Sequence, residues 1–184
     1  MRFRSSYLFV LLALSSISLA QPKETCHDDA LPTPVRALLK EKFPDWRPKH
    51  LLDLDPDDRK LWLETQAKEC PGIVAGHFEQ PDRMAYAILL LKRDASAEGY
   101  KIVVLSKESD QYAVRVLDHG DESVAPHADS GLIISKEPPG MYSGCCESKS
   151  VRLKLDGVNV EWLEKSSVLY YWSNGKYQSL ATSD

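Results

Sequence analysis

The sequence predicts an α+β protein in which one or two N-terminal helices pack on a largely antiparallel β-sheet of seven to nine strands. Three observations support this fold class. Apolar residues recur at helical spacing before Cys70, where prolines and acidic residues also mark helix starts. From Cys70 onward the pattern changes to short runs of apolar and β-branched residues. Asp156-Gly157 and Asn174-Gly175 are typical of two-residue hairpin turns, because both dipeptides tolerate positive φ.

The first twenty residues have the pattern of a secretory signal peptide. Arg2 and Arg4 make a basic start, and an apolar block follows over residues 8–14. Ser18-Leu19-Ala20 offers small residues at the two positions that a signal peptidase reads. We therefore predict cleavage after Ala20, a periplasmic or secreted location, and one mature domain over residues 21–184. The apolar block is shorter than the roughly 20 residues that span a bilayer, so no membrane insertion is expected after cleavage.

The predicted mature chain is acidic. The signal holds two of the 23 basic residues and none of the 27 acidic residues, which leaves a formal charge of −6. Such a chain lacks the basic stripe that attracts phosphates, so neither nucleic acid nor an anionic membrane surface is expected as a partner. A domain of this length buries roughly 70% of its unfolded-chain surface, so a disulfide is helpful to folding but not obligatory.

Two helices are predicted before Cys70. The first spans Pro34 to Phe43, with Thr33 as its N-cap and a proline at its first position. The second spans Pro56 to about Ala67 and begins after Asp55, which can cap it. Two aspartates in its first turn complement the positive end of the helix.

Five strands are predicted before the last third of the chain. They are Ile73–Phe78, Met84–Leu91, Tyr100–Leu105, Gln111–Leu117 and Leu132–Ser135. The second of these is nearly all apolar, which indicates a central strand covered on both faces. The third and fourth are predicted to form a hairpin around Ser109-Asp110.

Two further hairpins are predicted in the last third. The turn at Asp156-Gly157 sets residues 151–155 against residues 158–162, so that apolar residues share one face and Arg152 and Lys154 lie on the other. The turn at Asn174-Gly175 pairs residues 168–172 with residues 177–181. The pairs are Trp172 with Tyr177, Tyr171 with Gln178, Tyr170 with Ser179, Leu169 with Leu180 and Val168 with Ala181.

Four cysteines remain after the predicted cleavage and are the disulfide candidates: Cys26, Cys70, Cys145 and Cys146. Four cysteines allow three connectivities. A bond between the adjacent Cys145 and Cys146 is disfavoured because it needs a strained eight-membered ring. The alternative ties the N-terminal segment and the Cys70 turn to the Cys145-Cys146 loop. Zinc binding is disfavoured, because there is no CxxC and no nearby pair of histidines. Thiol catalysis is disfavoured, because vicinal thiols in an oxidising compartment are more often bridges than nucleophiles.

The loop from Asp118 to Asp129 is the candidate metal site. It carries oxygen and imidazole side chains of the kind that metals use, chiefly His119, Asp121, His127 and Asp129. Its spacing matches no dedicated metal motif, and the alternative interpretation is a solvated acidic loop. No P-loop, dinucleotide fingerprint, HExxH or GxSxG motif occurs, so no cofactor and no catalytic residue is predicted.

Aromatic residues are the candidate binding residues. They are Trp46, Tyr170, Tyr171, Trp172 and Tyr177. Large amphipathic rings are favoured anchors in the recognition of proteins and sugars. Packing in the core is the alternative interpretation of the same residues.

Several short motifs resemble a type of short exported bacterial protein. They are Cys70-Pro71-Gly72, Gly76-His77-Phe78, Ala85-Tyr86-Ala87 before an apolar run, and the aromatic strand and turn of residues 171–176. The resemblance covers most of residues 34–182. It implies an exported, β-rich protein and brings no assigned activity.

These observations predict an exported binding module, of the inhibitor or immunity type, that recognises a protein or glycan partner. Its acidity suits a basic partner, because opposite charge speeds an encounter. The alternative is an exported metal-assisted hydrolase that uses the loop of residues 118–129.

Overall fold

The structure is a computed structural model that describes residues 30–66, 69–94, 99–120, 131–145 and 149–183. Over these residues the chain forms two α-helices, α1 (Thr33–Lys42) and α2 (Pro56–Gln66), and a 3₁₀ turn at Leu51–Asp53. It also forms eleven strands. They are β1 (Trp46–Pro48), β2 (Ile73–Gln80), β3 (Arg83–Lys92), β4 (Tyr100–Glu108), β5 (Gln111–Gly120), β6 (Leu132–Glu137), β7 (Met141–Ser143), β8 (Ser150–Arg152), β9 (Gly157–Trp162), β10 (Ser166–Ser173) and β11 (Lys176–Ser183).

The strands form three antiparallel sheets. In the five-stranded sheet, β5, β4 and β3 are neighbours in that order, and β1 and β2 both pair with the far side of β3. The four-stranded sheet has the order β11-β10-β9-β6, and β7 pairs with β8. The predicted α+β class with largely antiparallel pairing is confirmed. The prediction of one sheet of seven to nine strands is wrong, because the described residues hold eleven strands in three sheets.

The main core lies between the two larger sheets. The five-stranded sheet contributes the inner residues of β2, β3 and β4, among them Phe78 and Val104, and the four-stranded sheet contributes Ile134 and Val160. All four of these side chains are fully buried. Face-to-face packing of this kind makes a β-sandwich whose two inner faces interdigitate.

Helix α1 covers the outer face of the five-stranded sheet. Val35 and Leu39 of the helix pack on Leu90 and Leu105 of the sheet. Strand β3 is therefore buried on both faces, which confirms the interpretation of its apolar run. The predicted cap is wrong: Thr33 is the first helical residue, and the N-cap is Pro32, whose carbonyl accepts the Arg36 N–H at 3.1 Å.

The outer face of the four-stranded sheet is covered in two places. Trp62 of α2 is 2% exposed and packs with Leu54 and Ile133 at the β6 edge. The β7–β8 hairpin covers the other part, where Leu153 packs with Leu169 and with neighbouring apolar side chains. Helix α2 is described as far as Gln66, and its predicted end at Ala67 lies outside the described residues.

The hairpin at Asn174-Gly175 is confirmed in every predicted pair. Trp172 lies opposite Tyr177, and Leu169 lies opposite Leu180. Asn174 has φ +52° and Gly175 has φ +78°, which are the left-handed conformations that a two-residue turn of this type requires.

The predicted hairpin at Asp156-Gly157 is wrong. Strand β8 pairs with β7, and β9 pairs with β6 and β10. Leu153 exchanges two backbone hydrogen bonds with Gly140, at 2.8 and 3.2 Å, so the apolar alternation of residues 151–155 belongs to the β7–β8 unit. Asp156 is held by β2 instead: its Oδ2 accepts the His77 N–H at 2.8 Å, and its own N–H donates to the His77 carbonyl at 3.2 Å.

Candidate functional site

The structure separates the predicted aromatic residues into two regions. Trp46 lies on β1 beside α1, on the outer face of the five-stranded sheet. The other four lie on the β10–β11 hairpin. Tyr170 and Tyr177 pack toward the sandwich core, and Tyr171 packs toward the β7–β8 hairpin. Trp46 and the hairpin aromatics therefore do not form one site.

Tyr170 belongs to a partly buried polar contact between the two larger sheets. Burial raises the pKa of Tyr170 to about 12, together with the negative charge of Asp118 and the hydrogen bond to it. The same carboxylate accepts the Tyr100 hydroxyl at 3.2 Å. Tyr100 in turn meets Trp162 edge to face, with ring centroids 6.1 Å apart. Tyr170 is thus a packing residue rather than an open binding surface.

Trp172 and Tyr177 pack against an ionic cluster. Their rings meet edge to face at 5.0 Å, and the Arg115 guanidinium lies 5.1 Å from the centroid of the Trp172 ring. Arg115 Nε lies 3.2 Å from Glu79 Oε1, and its Nη2 lies 2.6 Å from Glu108 Oε1. Burial raises the pKa of the Tyr177 hydroxyl, and the negative charge of Glu79 raises it further.

Sequence reasoning did not single out Arg115 or Glu79. Each lies in a strand, and a charged side chain in a strand ordinarily faces solvent, so neither stands out in the sequence. Their contact depends on the approach of β2 and β5, which no local pattern encodes.

Tyr171 and Trp172 line a cleft of about 270 Å³, which we call the hairpin cleft. Its lining residues are Arg152, Leu153, Lys154, Leu155, Tyr171, Trp172, Ser173 and Asn174. The cleft exists because β9 pairs with β10 only as far as Tyr170, so the last three residues of β10 extend beyond β9. Residues 152–155 lie beside that extension instead of pairing with it.

The hairpin cleft is positively charged. Arg152 and Lys154 are both exposed and form no ion pair with any described residue. Arg152 Nε donates to the Met141 sulfur at 3.4 Å, a weak contact that leaves its charge unneutralised. No acidic residue lines the cleft among the residues that the structure describes. Neither cation was selected from the sequence as a binding residue, because the predicted hairpin at Asp156-Gly157 placed both on its polar face.

Trp46 lines a second cleft, of about 180 Å³, which we call the helix cleft. Its lining residues are Leu31, Arg36, Leu39, Lys40, Phe43, Trp46, Pro48, Leu90 and Arg93. The ring of Trp46 also lies beneath two ammonium groups, Lys92 Nζ at 4.5 Å and Lys101 Nζ at 4.8 Å. Cation–π contacts of this kind orient both the ring and the charges around it.

The predicted metal loop is described only at its start. His119 is exposed at the end of β5, and Asp118 is engaged by Tyr100 and by the His119 N–H at 2.8 Å. Asp121, His127 and Asp129 lie outside the described residues. Within the ranges that the structure describes, no group of three His, Cys, Asp or Glu residues is placed to hold a metal ion. The metal-assisted hydrolase therefore stays a prediction.

Two of the four cysteines lie within the described residues. Cys70 is 8% exposed and disulfide-bonded, and Cys145 is an exposed free thiol. Cys26 and Cys146 lie outside the described residues. The free thiol of Cys145 contradicts its prediction as a disulfide cysteine, and the partner of Cys70 lies outside the described residues.

A comparison of the chain with protein families, with characterised proteins and with solved structures finds no match in any of the three. Over the described residues, none of the helices combines the length and the apolarity needed to cross a membrane. The candidate site therefore rests on the geometry and charge of the two clefts.

Proposed function

We propose that the protein is an exported binding module that takes an acidic, extended segment of a partner protein in the hairpin cleft. One observation carries the proposal: two cations and two aromatic residues line the same cleft, and no acidic residue lines it among the described residues. Arg and Lys donate charge-assisted hydrogen bonds to carboxylates, and these are stronger than neutral ones. Aromatic residues and arginine are also the side chains enriched where partners bind tightly.

The local charge of the cleft decides the chemistry of the partner. Net acidity favours a basic partner, but charges in water at physiological salt are screened beyond about 8 Å. A segment seated in the hairpin cleft lies next to Arg152 and Lys154 and is nearer to them than to the acidic residues elsewhere on the surface. The acidic net charge then acts mainly on the encounter and not on the bound contact.

The end of β10 favours a polypeptide in an extended conformation. Tyr171 to Ser173 pair with β11, and the described strands provide no partner on the opposite side. A strand edge of this kind can accept an added strand from another chain. The adjacent cleft would then receive alternate side chains of that strand, which is how edge binding obtains its specificity.

The contacts that the aromatic rings make within the protein favour a protein partner over a glycan. Arg115 covers Trp172, and Tyr177 abuts it. Tyr171 packs on the outer cluster of the four-stranded sheet. Protein groups therefore occupy part of the surface of these rings, whereas stacking on a sugar needs an open face.

The test is a titration of the ¹⁵N-labelled protein with hexaglutamate, followed by NMR. We expect shifts at the amides of residues 152–155 and 171–174. The double variant Arg152→Gln/Lys154→Gln should lose them, and the matched control Lys107→Gln/Lys176→Gln should keep them. Absence of shifts in these two segments, or shifts that persist in the double variant, would overturn the proposal. Binding of polygalacturonate but not hexaglutamate would replace the protein partner by an anionic glycan.

Export is part of the proposal and has a separate test. The basic start, apolar block and small residues of positions 1–20 support it. Expression with the native N-terminus in a Gram-negative host should give a protein in the envelope fraction whose first residue is Gln21. An uncleaved protein that begins at Met1 in the cytoplasm would contradict export and would leave the proposed binding in the hairpin cleft unaffected.

A further inference from the structure

We infer that the helix cleft binds a small carboxylate that carries a short apolar chain or a single ring. The cleft lies between α1, β1 and the end of β3, and it shares no lining residue with the hairpin cleft. The inference therefore stands independently of the proposed protein partner.

The floor of the helix cleft is apolar. Leu31, Leu39 and Leu90 are at most 7% exposed and form the buried base. Phe43 and Trp46 are half-buried against the same cluster and leave part of each ring to the cleft. An apolar chain or ring that enters displaces water from this surface, which is favourable in proportion to the apolar area covered.

The rim of the helix cleft is cationic. Lys40 and Arg93 are exposed and form no ion pair with a described residue, and Arg36 is a third cation in the lining. Arg93 is fixed in place, because its Nε donates to the Pro44 carbonyl at 3.0 Å and its amide N–H donates to the Asp45 carbonyl at 2.9 Å. Among the described residues no acidic side chain lines the cleft.

Two further cations raise the positive potential at this cleft. Lys92 and Lys101 both lie over the Trp46 ring. Their ammonium groups are attracted to the ring by cation–π contacts, and among the described residues neither forms an ion pair with a carboxylate. Apolar floor and cationic rim together match a molecule with an apolar end and a single anionic group.

The volume sets the size of the ligand. The space in the helix cleft is about 180 Å³. It is smaller than the roughly 300–1,000 Å³ of pockets that enclose drug-sized ligands. The ligand is therefore a short-chain or one-ring acid, with its carboxylate at the rim beside Lys40 and Arg93.

The experiment compares three probes that share one chain length: octanoate, octanol and octylammonium. Each is titrated into the full mature protein by isothermal calorimetry, and ¹⁵N shifts locate the site. We expect octanoate to bind at the amides around residues 36–48 and 90–93. Octanol should bind at least tenfold more weakly, and octylammonium should not bind.

The double variant Lys40→Gln/Arg93→Gln should weaken octanoate binding at least tenfold and leave the binding of octanol unchanged. Lys42→Gln is the matched control, because Lys42 lies on the same helix, outside the cleft, and pairs with Glu41 at 3.3 Å. The inference is overturned if octanoate and octanol bind equally, if the double variant binds octanoate like the parent, or if the shifts lie elsewhere. Circular dichroism of each variant verifies that it is folded.

Discussion

Arg115 Nε lies 3.2 Å from Glu79 Oε1, and this contact joins β5 to β2 although β3 and β4 lie between them in the sheet. The pairing of β2 with β3 is irregular between Gly76 and Gln80, as at a bulge, and the Glu79 side chain in this stretch interacts with Tyr177, which packs on the sandwich core. The Glu79 side chain is 5% exposed. Because Arg115 also covers Trp172 of the other large sheet, one guanidinium links the two layers of the sandwich.

Replacement of Arg115 by Met should destabilise the protein strongly. It leaves the buried Glu79 carboxylate without its cation, and loss of one partner of a buried pair costs roughly 3–5 kcal/mol. Since Arg115 keeps partial exposure, we expect the lower end of that range. Urea unfolding followed by fluorescence measures the change in the free energy of unfolding.

Two further variants make the Arg115 prediction specific. Glu108→Gln removes a partner that is 51% exposed and should cost at most about 1 kcal/mol. Glu79→Gln in the Arg115→Met background removes the uncompensated charge and should restore part of the stability. A loss for Arg115→Met no larger than that for Glu108→Gln would show that Glu79 does not depend on Arg115.

The two predicted glycine turns show what local sequence can decide. At Asn174-Gly175 the turn chemistry and the alternation of residues 168–181 describe the same two strands, so the register was predictable. At Asp156-Gly157 the turn residues and the apolar alternation also agreed with each other, but the strand pairing that they predicted is wrong. Leu153 alternates with polar neighbours because it packs under the β7–β8 hairpin, and a period of two does not reveal which strand is the partner.

Alanine substitution at the glycines should separate the two structural roles. Gly175 has φ +78° and open space around its Cα, so Gly175→Ala should cost about 1 kcal/mol through backbone strain alone. Gly157 has no positive φ, but an added Cβ would lie 2.6 Å from Leu169 Cδ1 and 2.9 Å from Leu153 Cδ2. Gly157→Ala should therefore cost about 1–3 kcal/mol through overpacking.

Gly140→Ala is the matched control for both glycines. Its added Cβ would meet the Tyr142 ring at 3.4 Å, an ordinary contact with a partly exposed side chain. Melting temperatures from differential scanning calorimetry should fall for Gly157→Ala and Gly175→Ala and change little for Gly140→Ala. A neutral Gly157→Ala would show that residue 157 has room, contrary to the packing between Leu153 and Leu169.

The aromatic residues of the two clefts were predictable from the sequence, and the charged residues of the hairpin cleft were not. Trp46, Tyr171 and Trp172 stand out in the sequence because large rings at a strand end are unusual at exposed positions. Arg152 and Lys154 do not stand out in the sequence, because a cation in a segment of alternating polarity is ordinarily a solvent-exposed residue. Their place in the hairpin cleft depends on where β9 stops along β10, a long-range property that local periodicity does not contain.

The two described cysteines should differ in reactivity. Cys145 is an exposed free thiol and should be alkylated by iodoacetamide in the native protein. Cys70 is buried and disulfide-bonded, so it should be modified only after reduction. Peptide mapping by mass spectrometry before and after reduction checks both and identifies the partner of Cys70 as Cys26 or Cys146. Alkylation of Cys70 without reductant would contradict the disulfide.

Tyr170 should make the stability of the protein depend on pH in the alkaline range. Burial, and then the charge and hydrogen bond of Asp118, raise its folded-state pKa from 10 to about 12. The folded state therefore keeps a proton that the unfolded state releases above pH 10. Stability from this group is full below pH 10 and is lost as the pH rises toward 12.

The measurement is the urea midpoint at several values between pH 9 and 11.5 for the parent and for Tyr170→Phe. After allowance for solvent screening, the parent should lose about 1–2 kcal/mol more than the variant over this range. Tyr100 shares the Asp118 carboxylate, and its pKa is raised as well, so Tyr170→Phe should reduce the slope without abolishing it. Tyr171→Phe, on the opposite face of β10, is the control and should follow the parent. Equal slopes for the parent and Tyr170→Phe would show that the Tyr170 hydroxyl is not coupled to folding through Asp118.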